Sequence, residues 1–396
     1  MTGLTSLDEA LAIMLSNARP LPPETIRIED SHGRTLAAPV FAAIASPRSD
    51  SSAMDGYAVR NADVVELPAR LEITGESFAG TAQPPDLGVG EAVQIFTGAP
   101  VPDGADRVVI QENCSRDGDT VTVREFGPGH HVRKAGQDFE EGQELLPAGT
   151  RLTPRALVAA AGADQAIVSV VRRPRVAILG TGDELVPPGE ARQRPGTIPE
   201  SISLALTAMV ADAGGRVVRR THSPDDMSVL TGVAQEALTD ADLVVVTGGA
   251  SVGERDHARD MFGDELEMLF SKVGMKPGKP VWLGRHGRTL ILGLPGNPTS
   301  AIVTARLFLM PLVAGLAGRS PRNMLDWRTG IAGADFPENG SRETLARARW
   351  FGDQLVPLDS QESGSQSVLV HADALVRRMI DAPGILPGEA LIYLDL

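Results

Sequence analysis

The 396-residue chain holds a single cysteine, Cys114. That excludes an intramolecular disulfide and a structural zinc site built on thiolates, and it fits a reducing compartment. Aromatic residues make up only 4%, too few for the stacking surfaces that grip single-stranded nucleic acid. Positive charge is also scarce: 37 Lys and Arg face 51 Asp and Glu, a net charge of −14. This balance speaks against duplex DNA and anionic membranes as partners. An anionic small molecule stays open, because local cations or a bound metal outweigh the global charge. Long apolar runs are missing as well. Asp164 breaks one, and Arg306 and Pro311 break another, so no membrane span is expected. The opening MTGLTSLDEALAIM lacks the basic-then-apolar order of a signal peptide. A cytoplasmic protein is the reading, with no nucleic-acid and no membrane partner.

What is present is ordinary globular material, 42% hydrophobic and 22% charged. The length exceeds one core, so two to four domains are expected. Ser6 and Glu9 make a capping box, and Leu7, Leu11, Met14 and Leu15 share a helical face. Pro20, Pro22 and Pro23 end that helix. Residues 24–150 then read as short alternating runs with Gly and Pro turns. RVVIQENCSRDGDTVTVREF reads as a hairpin turning at Asp117-Gly118, and TPRALVAAAG as a helix capped by Thr153. From 175 to 317 the rhythm changes. RVAIL, RVVRR, DLVVV and TLIL read as strands, and 200–213, 224–238 and 299–317 as helices. This alternation predicts a central parallel α/β sheet with helices on both faces. Beyond 319, short strands and turns return, which predicts a small C-terminal β domain. The fold class is therefore multidomain α/β.

Three loops carry the chemistry. GTGDEL (180–185), TGGASVG (247–253) and GLPGNPTSA (293–301) each follow a strand of the predicted sheet. All should lie at one edge, where ligands bind in such sheets. Gly248, Gly249, Ser251, Gly253, Gly296 and Asn297 offer backbone N–H groups to a phosphate or oxyanion. One Gly-rich turn alone serves backbone geometry equally well. Three together, with Lys272, Lys276 and Lys279 nearby, favour an anion cradle. No nucleotide signature is present. Glu184, Asp225 and Asp256 each follow a strand, and such carboxylates suit a Mg²⁺ or other divalent cation that bridges to the anion. Asp225 has a plainer reading too: Ser223 caps a helix that Pro224 opens, and acids suit a first turn.

PRVAILGTGDELVPPGE, LVVVTGGASVGERD, VGMKPGKPVWLG and LILGLPGNPTSAIV resemble the molybdopterin molybdenumtransferase family, which includes the C-terminal domain of gephyrin. SSAMDGYAVRNAD (51–63), IFTGAPVPDGADRVV (95–109) and VRKAGQDFEEG (132–142) look like its other signatures. The resemblance implies molybdenum cofactor biosynthesis: molybdenum from molybdate enters adenylylated molybdopterin, AMP leaves, and a divalent cation is required. It implies catalytic roles for Asp55, Thr97, Asp138, Glu184, Asp225 and Asp256, the last three at the metal. It implies substrate contacts from Arg133, Lys272, Lys276, Lys279, Pro295 and Pro298. It implies four subdomains: a linker domain of 1–45 with 138–172, whose N-terminal helix has packing elsewhere as an alternative, a β-rich 46–137, a molybdopterin-binding 173–318, and a β-barrel 319–396. The implied assembly is a homodimer with the active site between subunits, and other cofactor-biosynthesis proteins are candidate partners.

Two positions depart from the family. Ser51 and Ile202 stand where Asn is usual, which motivates a weakly active or inactive paralogue as an alternative. A gephyrin-like binding scaffold is another. AMP release from adenylylated molybdopterin separates the enzyme from both.

Overall fold

The computed structural model describes residues 4–248 and 257–396. The chain divides into two compact units, one built from Met1–Glu24, Gly33–Ala37 and Ser169–Leu396, the other from Thr25–His32 and Ala38–Val168.

The first unit centres on a six-stranded sheet in the order Arg216–Ser223, Arg175–Thr181, Leu243–Thr247, Thr289–Leu294, Trp282–His286, Glu267–Ser271. The first four strands are parallel, as the alternation predicts. The last two run antiparallel, so the sheet is mixed rather than wholly parallel. The reason is local: only Gly287, at φ 56°, and Arg288 separate two strands, and a two-residue connection forces a hairpin. Alternate residues face opposite sides, as strand geometry requires. Val176, Ile178 and Val245 join Leu206 and Val210 of helix Ile202–Asp212 in one core. Ala177, Leu179 and Val246 join Leu230 and Ala234 of helix Met227–Asp240 in the other.

The helical run Pro298–Leu316 is long and apolar enough to cross a bilayer, contrary to the expected interruption, but most of it is buried within this unit. Pro311 has no N–H to give the preceding turn, and Ala305–Leu309 widens to a π-helix. Helix Leu7–Asn17 packs on the same face. The Glu9 N–H donates to Ser6 Oγ at 3.2 Å, and Leu7, Leu11 and Met14 are buried. The C-terminal strands Arg328–Ala332, Glu343–Phe351, Gln354–Pro357, Ala374–Arg378 and Ala390–Asp395 close on one another as a five-stranded barrel.

The second unit holds another six-stranded sheet, ordered Arg107–Ile110, Gly56–Val59, Glu91–Ile95, Ala69–Ser77, Thr120–Val123, Cys114–Asp117. The expected hairpin is thus shorter than its sequence run. Only Cys114–Asp117 and Thr120–Val123 pair across Gly118 and Asp119, while Arg107–Ile110 pairs with Gly56–Val59. Thr153 caps helix Pro154–Gly162 through the Ala156 N–H at 3.3 Å.

Candidate functional site

Three parallel strands end side by side in the first unit. Gly180 pairs with Thr247, and Thr247 with Leu294. The loops beyond them touch. A Cβ at Gly248 would stand 2.4 Å from the Thr181 carbonyl oxygen, and Gly248 sits at φ +91°. No other residue fits there without displacing the backbone. A Cβ at Gly296 would lie 3.4 Å from the Gly248 Cα. Thr181 is buried, and its hydroxyl has no hydrogen-bond partner among the described residues. Gly249, Ser251, Gly253 and Asp256 lie outside the described residues.

The carboxylates gather at the same edge. Glu184 is exposed, and its side chain folds back against Gly182. The Asp225 backbone N–H donates to Asp183 Oδ1 at 3.1 Å. Asp183 is therefore a member of this corner that the sequence reading passed over. The helix cap expected at Ser223 is instead Asp226, which accepts from the N–H groups of Ser228 and Val229. Ser223 is still the last residue of its strand and is buried. Among the described residues, no group of three or more His, Cys, Asp or Glu gathers as a metal site. Glu184 and Asp225 are oxygen donors of the kind a hard divalent cation takes, and they fit part of such a site.

Beside these loops lies a cavity of about 630 Å³ lined by Lys276, Lys279, Pro295, Asn297, Ser300, Arg342 and Ser363, among others. The Lys-Pro-Gly-Lys turn presents both lysines, and its Gly278 is needed at φ +110°, where a Cβ would meet Thr304 Cγ2 at 2.3 Å. The far wall comes from the barrel. Fully buried Arg347 donates to the carbonyls of Glu362 and Ser360 at 3.2 and 3.3 Å, which anchors the loop carrying Ser363. Asn297 Nδ2 closes the loop on Ser363 Oγ at 3.3 Å. Burial lowers the Arg347 pKa. Three cations against Glu362 make this a local positive spot on an acidic chain. Lys272 and Pro298 do not line the cavity. Lys272 holds a left-handed φ of 60° and accepts from Thr5 N–H through its carbonyl.

In the second unit, Asp55 Oδ1 accepts from the Thr97 N–H at 2.7 Å and its hydroxyl at 2.8 Å. These two bonds hold the Asp55 carboxyl below its usual range. A separate cavity of about 450 Å³ is lined by Ser46, Pro47, Ser51, Arg133, Gln137 and Asp138. Strand pairing of Ser51 with Arg133 builds its wall. Lys134 stands next to it and reaches Asp50 at 2.6 Å. Burial and then Glu112 push the Cys114 thiol up to about 11, which leaves it a poor nucleophile.

Residues 5–163 match the family described as MoeA N-terminal region (domain I and II), and residues 177–315 the one described as Probable molybdopterin binding domain. A protein named molybdopterin molybdenumtransferase 2, from Mycobacterium tuberculosis, is 36% identical over 78% of this chain and 78% of its own length. A molybdopterin molybdenumtransferase from Haemophilus influenzae is 32% identical over 92% of this chain and 90% of its own. The chain belongs to the molybdopterin molybdenumtransferase family. A crystal structure of the molybdopterin biosynthesis MoeA protein from Pyrococcus horikosii superposes with a TM-score of 0.86 at 29% identity, over 99% of this chain and 98% of that one.

Within this family member, Ile202 has a local explanation, and Ser51 has none in the structure. Ile202 packs into the core at the first turn of its helix. Glu200 caps that turn, accepting from the Ser203 N–H at 2.7 Å and hydroxyl at 2.5 Å. Ser51 is buried in the strand that lines the Arg133 cavity.

Proposed function

We propose that this transferase of molybdenum cofactor biosynthesis inserts molybdenum from molybdate into adenylylated molybdopterin and releases AMP. The observation that carries the reading is the arrangement of three glycine-lined strand ends next to a cavity walled by Lys276, Lys279 and Arg342. A tetrahedral dianion needs several fixed cationic and hydroxyl donors in a confined space, and this cavity supplies them. The strand-end loops suit the phosphates, since backbone N–H groups there bind oxyanions without side-chain entropy.

Glu184 and Asp225, with Asp256, are the residues that hold a divalent cation, Mg²⁺ being the one their oxygen donors favour. When bound, such a cation neutralises charge on a phosphoanhydride and on its leaving group. The chain's own donors do the rest. Lys276 and Lys279 fix the oxyanion, and the Gly248 and Gly296 loops orient the phosphates.

Asp55, Thr97, Arg133 and Asp138 complete the site from the second unit of a partner subunit, in a homodimer with two equivalent sites. The protein works in the cytoplasm, where its lone reduced cysteine is at home, and it serves other cofactor-biosynthesis proteins. AMP release by the purified protein tests this reading. Release from adenylylated molybdopterin with molybdate and Mg²⁺, abolished by EDTA, is expected. Unaltered release in EDTA removes the cation, and no release at all removes the enzyme.

A further inference from the structure

The parallel strands Ala69–Ser77 and Glu91–Ile95 end in register, Ser77 opposite Ile95. Each is followed by a phenylalanine, and the Phe96 N–H donates to the Ser77 carbonyl at 3.2 Å. Phe78 and Phe96 therefore stand side by side. Their rings stack 4.7 Å apart at 11°. Neither ring belongs to the core: Phe78 is 44% exposed and Phe96 is half-buried. In a chain with so few aromatics, an ordered pair of rings whose Phe78 side is open to solvent calls for an occupant. Its position names one. Phe96 directly precedes Thr97, whose two hydrogen bonds fix Asp55. Both of those bonds fall on Oδ1, and Asp55 Oδ2 enters no hydrogen bond among the described residues. Next to the rings lies a fixed carboxylate with accepting capacity left over.

We propose that Phe78 and Phe96 form a stacking platform for a flat nitrogen heterocycle of the substrate, whose N–H donors meet Asp55 at the ring's edge. The proposal rests on the enzyme reading above. That substrate carries two such rings, a pterin and an adenine, and both have amino donors on their edges. The shared chemistry is a planar ring with a donor edge. A phenyl pair offers dispersion to the face of either, and a carboxylate accepts from the edge of either.

The test uses the full chain with Phe78→Leu, Phe96→Leu and Phe96→Tyr. Leucine keeps apolar bulk and removes the ring, and tyrosine keeps the ring. Steady-state AMP release should show a KM for adenylylated molybdopterin raised about two- to tenfold in both leucine variants. Molybdate KM and kcat should stay unchanged, and Phe96→Tyr should behave as wild type. Calorimetry with AMP alone and with a plain pterin then identifies the ring, because only the stacked one loses affinity in Phe96→Leu. Unchanged KM together with unchanged affinity for both probes overturns the platform. Leucine variants that fall apart as dimers in light scattering also overturn it, since the pair is then a subunit contact. The binding arms decide the matter even where the wild type releases no AMP, an outcome that counts against the enzyme reading alone.

Discussion

Thr97 gives both its donors, backbone and hydroxyl, to one oxygen of Asp55. Two hydrogen bonds to the ionised form stabilise it, so the folded pKa lies below the unfolded value of about 3.9. A depressed carboxylate contributes stability that is present above its unfolded pKa and lost as pH falls through the folded one. The window is therefore below about pH 4. In Thr97→Val the larger, backbone contribution stays and the hydroxyl goes. The Asp55 titration, followed by carboxyl-carbon NMR, should move part of the way up toward the ordinary value. An unmoved midpoint would show that the hydroxyl does nothing for the charge.

Gly248→Ala places a Cβ against the Thr181 carbonyl in a left-handed conformation. Backbone strain of this kind costs about 1–3 kcal/mol. The melting temperature should fall, and calorimetric binding of AMP should weaken in the protein that remains folded. Wild-type AMP affinity in this variant would mean that the loop is no part of the cradle.

Lys279→Ala removes one of three cations from the cavity below the barrel. Molybdate should bind more weakly, and the loss should be larger at low salt, where screening is weaker. Equal affinity at low and high salt would contradict a charge-based contact.

Gly315 faces the end of the first helix so closely that a Cβ would stand 2.6 Å from the Ala18 carbonyl oxygen. Gly315→Ala should destabilise by about 1–3 kcal/mol, the usual cost of overpacking. Urea unfolding read by helix signal measures it. A midpoint unchanged from wild type would mean that the two helices part without cost.

A shared active site makes a prediction of its own. Asp55→Ala and Asp256→Ala, each inactive alone, are co-expressed with different tags and the mixed dimer is isolated. One site then lacks both carboxylates and the other lacks neither, so about half of wild-type activity should return. A mixed dimer without activity would place the whole site in one chain.

Much of this was legible from the chain alone. The Ser6 cap and the Leu7, Leu11, Met14 stripe specify a helix locally, and the structure forms it. DLVVV and TLIL are strands because continuous apolar runs suit a sheet covered on both faces. The adjacency of the three loops follows from that topology. Trp282–His286 was not legible as a strand, because it is short and its pairing depends on a two-residue turn. Arg342, Arg347 and Ser363 were missed for a different reason. Arg342 and Ser363 reach the lysine cavity through barrel closure and Arg347 anchors the loop behind them, and register between short strands leaves no periodic mark in the sequence. Asp183 was missed because its role lies in one hydrogen bond to a backbone 42 residues away.

The first unit is assembled from three separate stretches of chain, and this sets an order on synthesis. Helix Leu7–Asn17 is synthesised well before its partners, for it packs in a core that includes Val303, Leu312, Leu345 and Leu394. An isolated helix of 11 residues is marginal in water. At about 5–20 residues per second, the nascent chain takes roughly 20–80 s to supply the last of these partners. The second unit, nearly continuous in sequence, has all its residues out well before then. The helix's apolar stripe of Leu7, Leu11 and Met14 spends that interval without its native cover, which is the kind of surface a chaperone holds.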